Sequence, residues 1–143
     1  MEEQQIELRC TLELLARPKN MAVEALKKIL NNLEENGKKL TVSDVTYSDP
    51  KEAGNDFYSA FSTFKIKSDV QSLFSFVLDY APSSTEVLAT KDVKISAADF
   101  QAVLNDISGR LNQMDHDIKL FSSQNLILTR QNEELKKKLG EGK

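Results

Sequence analysis

The sequence is short of the residue types that most often carry chemistry. Its 143 residues include one cysteine and one histidine. Cys10 has no partner for a disulfide within the chain, which fits a reducing compartment. A zinc site takes about four Cys or His ligands. A cysteine–histidine nucleophile pair fails on placement, because Cys10 falls on the apolar face of a strand and His116 on the outer face of a helix. The five glycines are scattered at positions 37, 54, 109, 140 and 142, so no loop is built to cradle a phosphate. No apolar run reaches the roughly 18 residues that a membrane span requires. The first residues, Met1-Glu2-Glu3-Gln4-Gln5, are acidic and polar, the opposite of a secretory signal. Charge of one sign is also lacking: 19 Lys and Arg against 22 Asp and Glu leave a net −3, which gives no global attraction for nucleic acid. These absences imply a cytoplasmic protein with no metal, no cofactor and no membrane contact. Carboxylates are plentiful but unorganised. Asp49, Glu52 and Asp56 share a loop, yet their spacing lacks the alternating oxygens and distal glutamate of a calcium loop. The expectation is that the protein is not an enzyme.

What is present is a heptad ladder. With Leu104 as position a, the a sites are Leu104, Leu111, Ile118, Asn125, Asn132 and Leu139. The d sites are Phe100, Ile107, Met114, Phe121, Leu128 and Leu135. The 4-3 spacing holds without a stutter, which predicts a left-handed supercoil. No proline interrupts it, and Gly109 falls at an outward f position. A helix of this length has no equally long mate in the chain, so another chain is needed to cover the seam. Asn125 and Asn132 at consecutive a positions favour a parallel, in-register pair in which the amides meet each other. Arg110 at g is set to meet Asp115 at e of the opposite strand. The twelve a and d residues are therefore the expected interface of a parallel homodimer. A long helix folded back onto its own domain would explain the first three turns, but not a seam reaching Leu139.

The residues before the ladder suffice for one small core. Ile6 to Leu14 alternates, with Ile6, Leu8, Cys10, Leu12 and Leu14 on one side and Glu7, Arg9, Thr11 and Glu13 on the other, a half-buried strand. Pro18 to Asn36 repeats Val23, Leu26, Ile29, Leu30 and Leu33 at helical spacing, and Asn36-Gly37 supplies the stop. A second strand covers about 39–47, with a phase shift that suggests a bulge near Ser43-Asp44. Residues 48–56 read as a hairpin loop and 57–67 as a third strand. Ser68 and Gln71 form a capping-box pattern that opens a second helix with Val70, Leu73, Phe74 and Val77 on its stripe. Ser84 to Ala89 is a fourth strand, with Val93 to Ile95 as a candidate extension, and Ser96 with Asp99 caps the long helix. The order β-α-β-β-α-β predicts an α+β, ferredoxin-like two-layer sandwich with strands one and three central. The domains are then 1–95 for the sandwich, 96–140 for the coiled coil and 141–143 for a disordered tail.

Sheets of this topology include RNA-recognition domains, which stack bases on aromatics of strands one and three. Here Ser59 stands where a stacking aromatic belongs, and the open face of strand one offers Glu7 and Glu13. Phe57 and Phe61 are left as a candidate docking patch, expected to face outward beside Thr11. Arg17, Lys19, Lys27 and Lys28 around the first helix, and Lys136-Lys137-Lys138 at the chain's end, are the alternative route to nucleic acid.

The stretch Phe76-Val77-Leu78-Asp79-Tyr80-Ala81-Pro82-Ser83-Ser84-Thr85-Glu86-Val87, with Ala16-Arg17-Pro18-Lys19 and Phe57-Tyr58-Ser59-Ala60-Phe61, resembles a family of small uncharacterised archaeal proteins. That resemblance implies an archaeal cytosolic origin and the same domain-plus-helix architecture. It carries no catalytic residues. The expected function is a scaffold or adaptor: a coiled-coil dimer presenting two small domains to a protein partner, or alternatively a nucleic-acid- or ribosome-associated factor acting through basic helix faces.

Overall fold

The structure, a computed structural model, describes residues 4–35 and 39–141. Alternation makes the first strand: β1 (Ile6–Ala16) buries Ile6, Leu8, Cys10 and Leu12 and turns the residues between them outward. A cis Arg17–Pro18 bond follows. Next comes α1 (Lys19–Glu35), whose buried stripe is Ala22, Leu26, Leu30 and Leu33, with Val23 and Ile29 half-buried beside it. The expected stop at Asn36-Gly37 lies outside the described residues.

β2 (Thr41–Tyr47) contains the expected bulge: the pairing register shifts between Ser43 and Thr46, and Asp44 takes a positive φ of 50°. The segment 48–56 is more than a loop. Lys51–Glu52 forms a short strand, β3, paired with Ser59 and Tyr58. The turn between them is made by Gly54, Asn55 and Asp56, all at positive φ. β4 (Tyr58–Ser68) is the longest partner of β1, antiparallel from Ile6↔Ser68 to Ala16↔Tyr58. Two buried serines sit on its inner face. Ser62 donates to the Thr46 carbonyl at 2.8 Å and Ser68 to the Lys39 carbonyl at 2.7 Å, so neither hydroxyl is an orphan.

Because Ser68 is occupied in this way, it does not cap α2 (Val70–Tyr80). The cap is Asp69, whose carboxylate accepts from the Ser72 amide at 3.3 Å. The stripe of α2 is also shifted by one flank: Leu73 and Phe76 are buried, whereas Phe74 is 37% exposed. Phe76 is selected because it meets Phe64 of β4 edge-on at 6.1 Å and stacks on Tyr80 at 5.4 Å. The helix ends at Ala81, which adopts a left-handed conformation at φ 46° and returns its amide to the Val77 carbonyl. β5 (Ser84–Leu88) pairs with Glu7–Thr11 of β1. Val93–Ile95 does not extend it. Gln4 holds that segment instead, accepting from the Lys94 amide at 2.8 Å and donating to the Asp92 carbonyl at 2.9 Å. Ser96 then caps α3 (Ala97–Glu141) by accepting from the Asp99 amide at 3.1 Å.

The fold is thus α+β. Five antiparallel strands run in the order β2-β4-β1-β5 with β3 also on β4, and β1 and β4 are central. Both α1 and α2 contribute to the core on one face of the sheet. The chain divides at Val103/Leu104 into two units. The first holds the sheet and its core. The second is the remainder of α3.

Candidate interaction surfaces

The open face of the sheet has a charged half and an apolar end. In the charged half, Arg9 donates to Glu86 at 3.0 Å, and Lys65 lies 3.0 Å from Asp44 and 4.0 Å from Glu7. These pairs join β1, β2, β4 and β5, and they cancel one another's charge. A phosphate backbone would have to break them. In the middle, Thr11 and Thr63 share a hydrogen bond at 3.3 Å across the central pair.

At the other end the outward apolar residues are Leu15 on β1 and Phe61 on β4, 58% and 43% exposed, with Glu13 opposite Phe61. Phe57 precedes β4, and the Arg17 guanidinium lies 4.0 Å above its ring. Arg17 also donates to the Asn55 carbonyl at 2.6 Å, which fixes the stack. Phe57 and Phe61 are therefore outward, as expected, but Phe61 stands opposite Glu13 rather than beside Thr11. Leu15 completes this patch: the alternation expected over Ile6 to Leu14 continues one residue further, and its next outward position is Leu15.

The basic cluster around α1 is partly committed. Arg17 is stacked on Phe57, and Lys27 lies 5.7 Å from the Tyr47 ring and 4.0 Å from Glu24. Burial raises the Cys10 thiol to about 11, so it is protonated at neutral pH and unreactive. Among the described residues no group of three or more His, Cys, Asp or Glu converges as a metal site would require. No described helix is long and apolar enough to cross a membrane. Beside α2 and β5 there is an open apolar groove of about 300 Å³, bordered by Ile6, Leu73, Phe74, Val87 and Val93.

The α3 ladder is unlike any of these. Of its a and d residues, Phe100, Leu104, Leu111, Met114, Ile118, Phe121, Leu128, Leu135 and Leu139 are 48–71% exposed. Asn125 and Asn132 are exposed as well, and Ile107 is half-exposed. Val103 alone is buried in this helix among the described residues. Within one helix, Asp115 is bonded to Lys119 at 2.8 Å, one turn on, so the expected contact with Arg110 of another strand has a local competitor. Three further apolar residues, Leu120, Leu126 and Ile127, are exposed outside the a and d columns. They fall in the b and c columns of the heptad.

An antiparallel α+β unit continued by a long helix with an uncovered apolar seam is the class of protein that this geometry defines. The chain belongs to the MJ0538 family, a family named after an archaeal protein, whose sequence model matches residues 7–139. That span takes in the sheet, both shorter helices and almost all of α3. No curated protein and no solved structure matches the chain.

Proposed function

We propose that the protein is a non-enzymatic scaffold or adaptor: a parallel coiled-coil homodimer that presents two small α+β domains to a protein partner in the archaeal cytoplasm. The observation that carries this reading is the ladder itself, unbroken from Phe100 to Leu139, with its apolar members about half or more exposed in the single chain apart from Ile107. Contiguous apolar surface of this extent marks an interface. Reading the domain as ferredoxin-like is supported by the strand order. With the two-residue β3 set aside, β2-β4-β1-β5 is the second, third, first and fourth strand, every neighbour antiparallel. Leu15, Phe57 and Phe61 are the surface offered to the partner. The nucleic-acid alternative is less well supported, because Arg9 and Lys65 on the open face are paired with carboxylates and the cluster around α1 is partly committed.

The test is the mass of the full chain by light scattering and its response to Asn125→Leu with Asn132→Leu. Two chains per particle are expected, with a higher melting temperature for the double variant and a loss of strict two-chain stoichiometry, since leucine no longer penalises other registers. A single-chain wild type, or a destabilised double variant, overturns the reading. Steeply salt-dependent retention on heparin would instead favour nucleic acid.

A further inference from the structure

We propose that the coiled-coil dimer carries a second assembly surface, built from Leu120, Leu126 and Ile127, that receives another dimer of the same chain lying antiparallel to it. The inference rests on the parallel dimer and extends it. In the heptad frame Leu120 and Ile127 fall at c and Leu126 at b, and they are 47%, 55% and 56% exposed. A two-stranded coil buries a and d and flanks them with e and g, so b and c look outward and the dimer leaves all three uncovered.

Their columns share a flank across the twofold axis, with the g and e rows between them. On either flank of a parallel dimer, the c column of one strand lies on the same side as the b column of the other. Each flank therefore shows Leu120 and Ile127 from one chain and Leu126 from its mate, and two helical turns separate the first pair by about 10 Å. The patch is local. Along the c column the apolar pair is bracketed by Asp106 and Gln113 before it and Glu134 after it, so the helix is not simply apolar on every face.

Charge selects the occupant and its direction. From Ala97 to Ile118 the helix has Asp99, Asp106, Asp115 and Asp117 against Arg110 alone. From Lys119 to Glu141 five cations (Lys119, Arg130 and Lys136 to Lys138) outnumber three glutamates. The midpoint between Leu120 and Ile127 is close to the boundary between these halves. An antiparallel copy pivoting there sets Leu120 of one dimer against Ile127 of the other. It also lays each acidic half along a basic one, with Asp117 level with Arg130. A parallel neighbour would oppose like charges at both ends, and an unrelated apolar partner would have no use for the polarity. Each dimer has two such flanks, so association proceeds in steps of two chains.

The experiment is sedimentation velocity on the full chain at low salt over a wide concentration range, for the wild type and for Leu120→Gln/Leu126→Gln/Ile127→Gln. Glutamine keeps good helix propensity, and circular dichroism checks that the helix is retained. The wild type should pass from two chains to four or more as concentration rises, the effect shrinking at high salt as the charges are screened. The triple variant should stay at two. A wild type that remains at two chains at every concentration overturns this surface while leaving the dimer standing. A triple variant that falls to one chain also overturns it, since the three residues would then belong to the seam. A single-chain wild type removes the dimer and this surface together.

Discussion

Phe64 and Phe121 both sit at regular apolar positions of long elements, and they end in opposite environments. Phe64 is fully buried, on the inner face of β4 with Phe76 edge-on against it. Phe121 is 60% exposed on α3. The contrast extends to the two regions. In the α+β unit, period-two strands and 3.6-period helices meet inside one chain and close a core from Ile6 to Phe76. On α3, an equally regular 3.5-period stripe is left mostly exposed. A periodic pattern therefore specifies that a face is to be covered, while chain topology decides whether the cover is internal. If α3 pairs as proposed, stability in one region is a property of the single chain, and in the other it depends on concentration.

The sharpest way to break this contrast is a charge in each region. Ile118→Asp places an unpaired carboxylate in the seam and should weaken association by about 3–5 kcal/mol, the penalty of an uncompensated buried charge. Light scattering should then report one chain, while the near-ultraviolet signal of the sheet unit is unchanged. Phe64→Ala should do the reverse: about 3–5 kcal/mol of domain stability lost in urea unfolding, with the helical signal and the two-chain mass kept. If either variant melts both regions together, the two units are one cooperative structure and the contrast fails.

Smaller changes sharpen it. Asp69→Ala removes the α2 cap and should lower domain stability by about 1 kcal/mol. Partial burial works to raise the Asp69 carboxyl, but hydrogen bonds from Ser72 and Ser68 outweigh it and hold the group below its usual 3.8. A lowered folded value means that the contribution is full above pH 4 or so and is lost as pH falls through the folded value. The gap between wild type and variant, measured by urea titration, should therefore close in acid. Smallest of all, Arg110→Glu should weaken the dimer by about 0–1 kcal/mol. Adding Asp115→Lys should recover that loss in a parallel, in-register pair, and no recovery by analytical ultracentrifugation would point to another arrangement.

The elements that were legible in the sequence are those whose pattern is local. The alternation of Ile6 to Leu12 contains both faces of β1, the phase slip after Val42 contains the bulge, and Ser96 with Asp99 contains the start of α3. What escaped depends on partners far along the chain. Ser68 reads as a cap until the Lys39 carbonyl, on another segment, claims its hydroxyl. Phe74 and Phe76 are equally apolar, and only the position of Phe64 decides between them. Lys51–Glu52 has no strand signal, because its pairing is imposed by the turn at Gly54 and by β4. Val93–Ile95 looks extended by composition, but the Gln4 side chain occupies the backbone groups that a ladder would need. On the surfaces, the exposed a and d columns of α3 follow from their spacing alone. Leu15 continues the alternation of β1 one step past Leu14, and Leu120, Leu126 and Ile127 lie outside the a and d spacing.

The two borders of the sheet have a consequence for solubility. An edge strand is an open row of backbone donors and acceptors, ready to recruit another molecule into a growing aggregate. Here one border is interrupted, split between β2 and the two-residue β3 and kinked at Asp44, whose positive φ and charged side chain spoil a straight approach. The other border, β5, is five residues long and carries Glu86 held by Arg9. Neither offers the long flat template on which fibrils extend. The molecule thus exposes the apolar stripe of a long helix without also exposing a long, flat sheet edge.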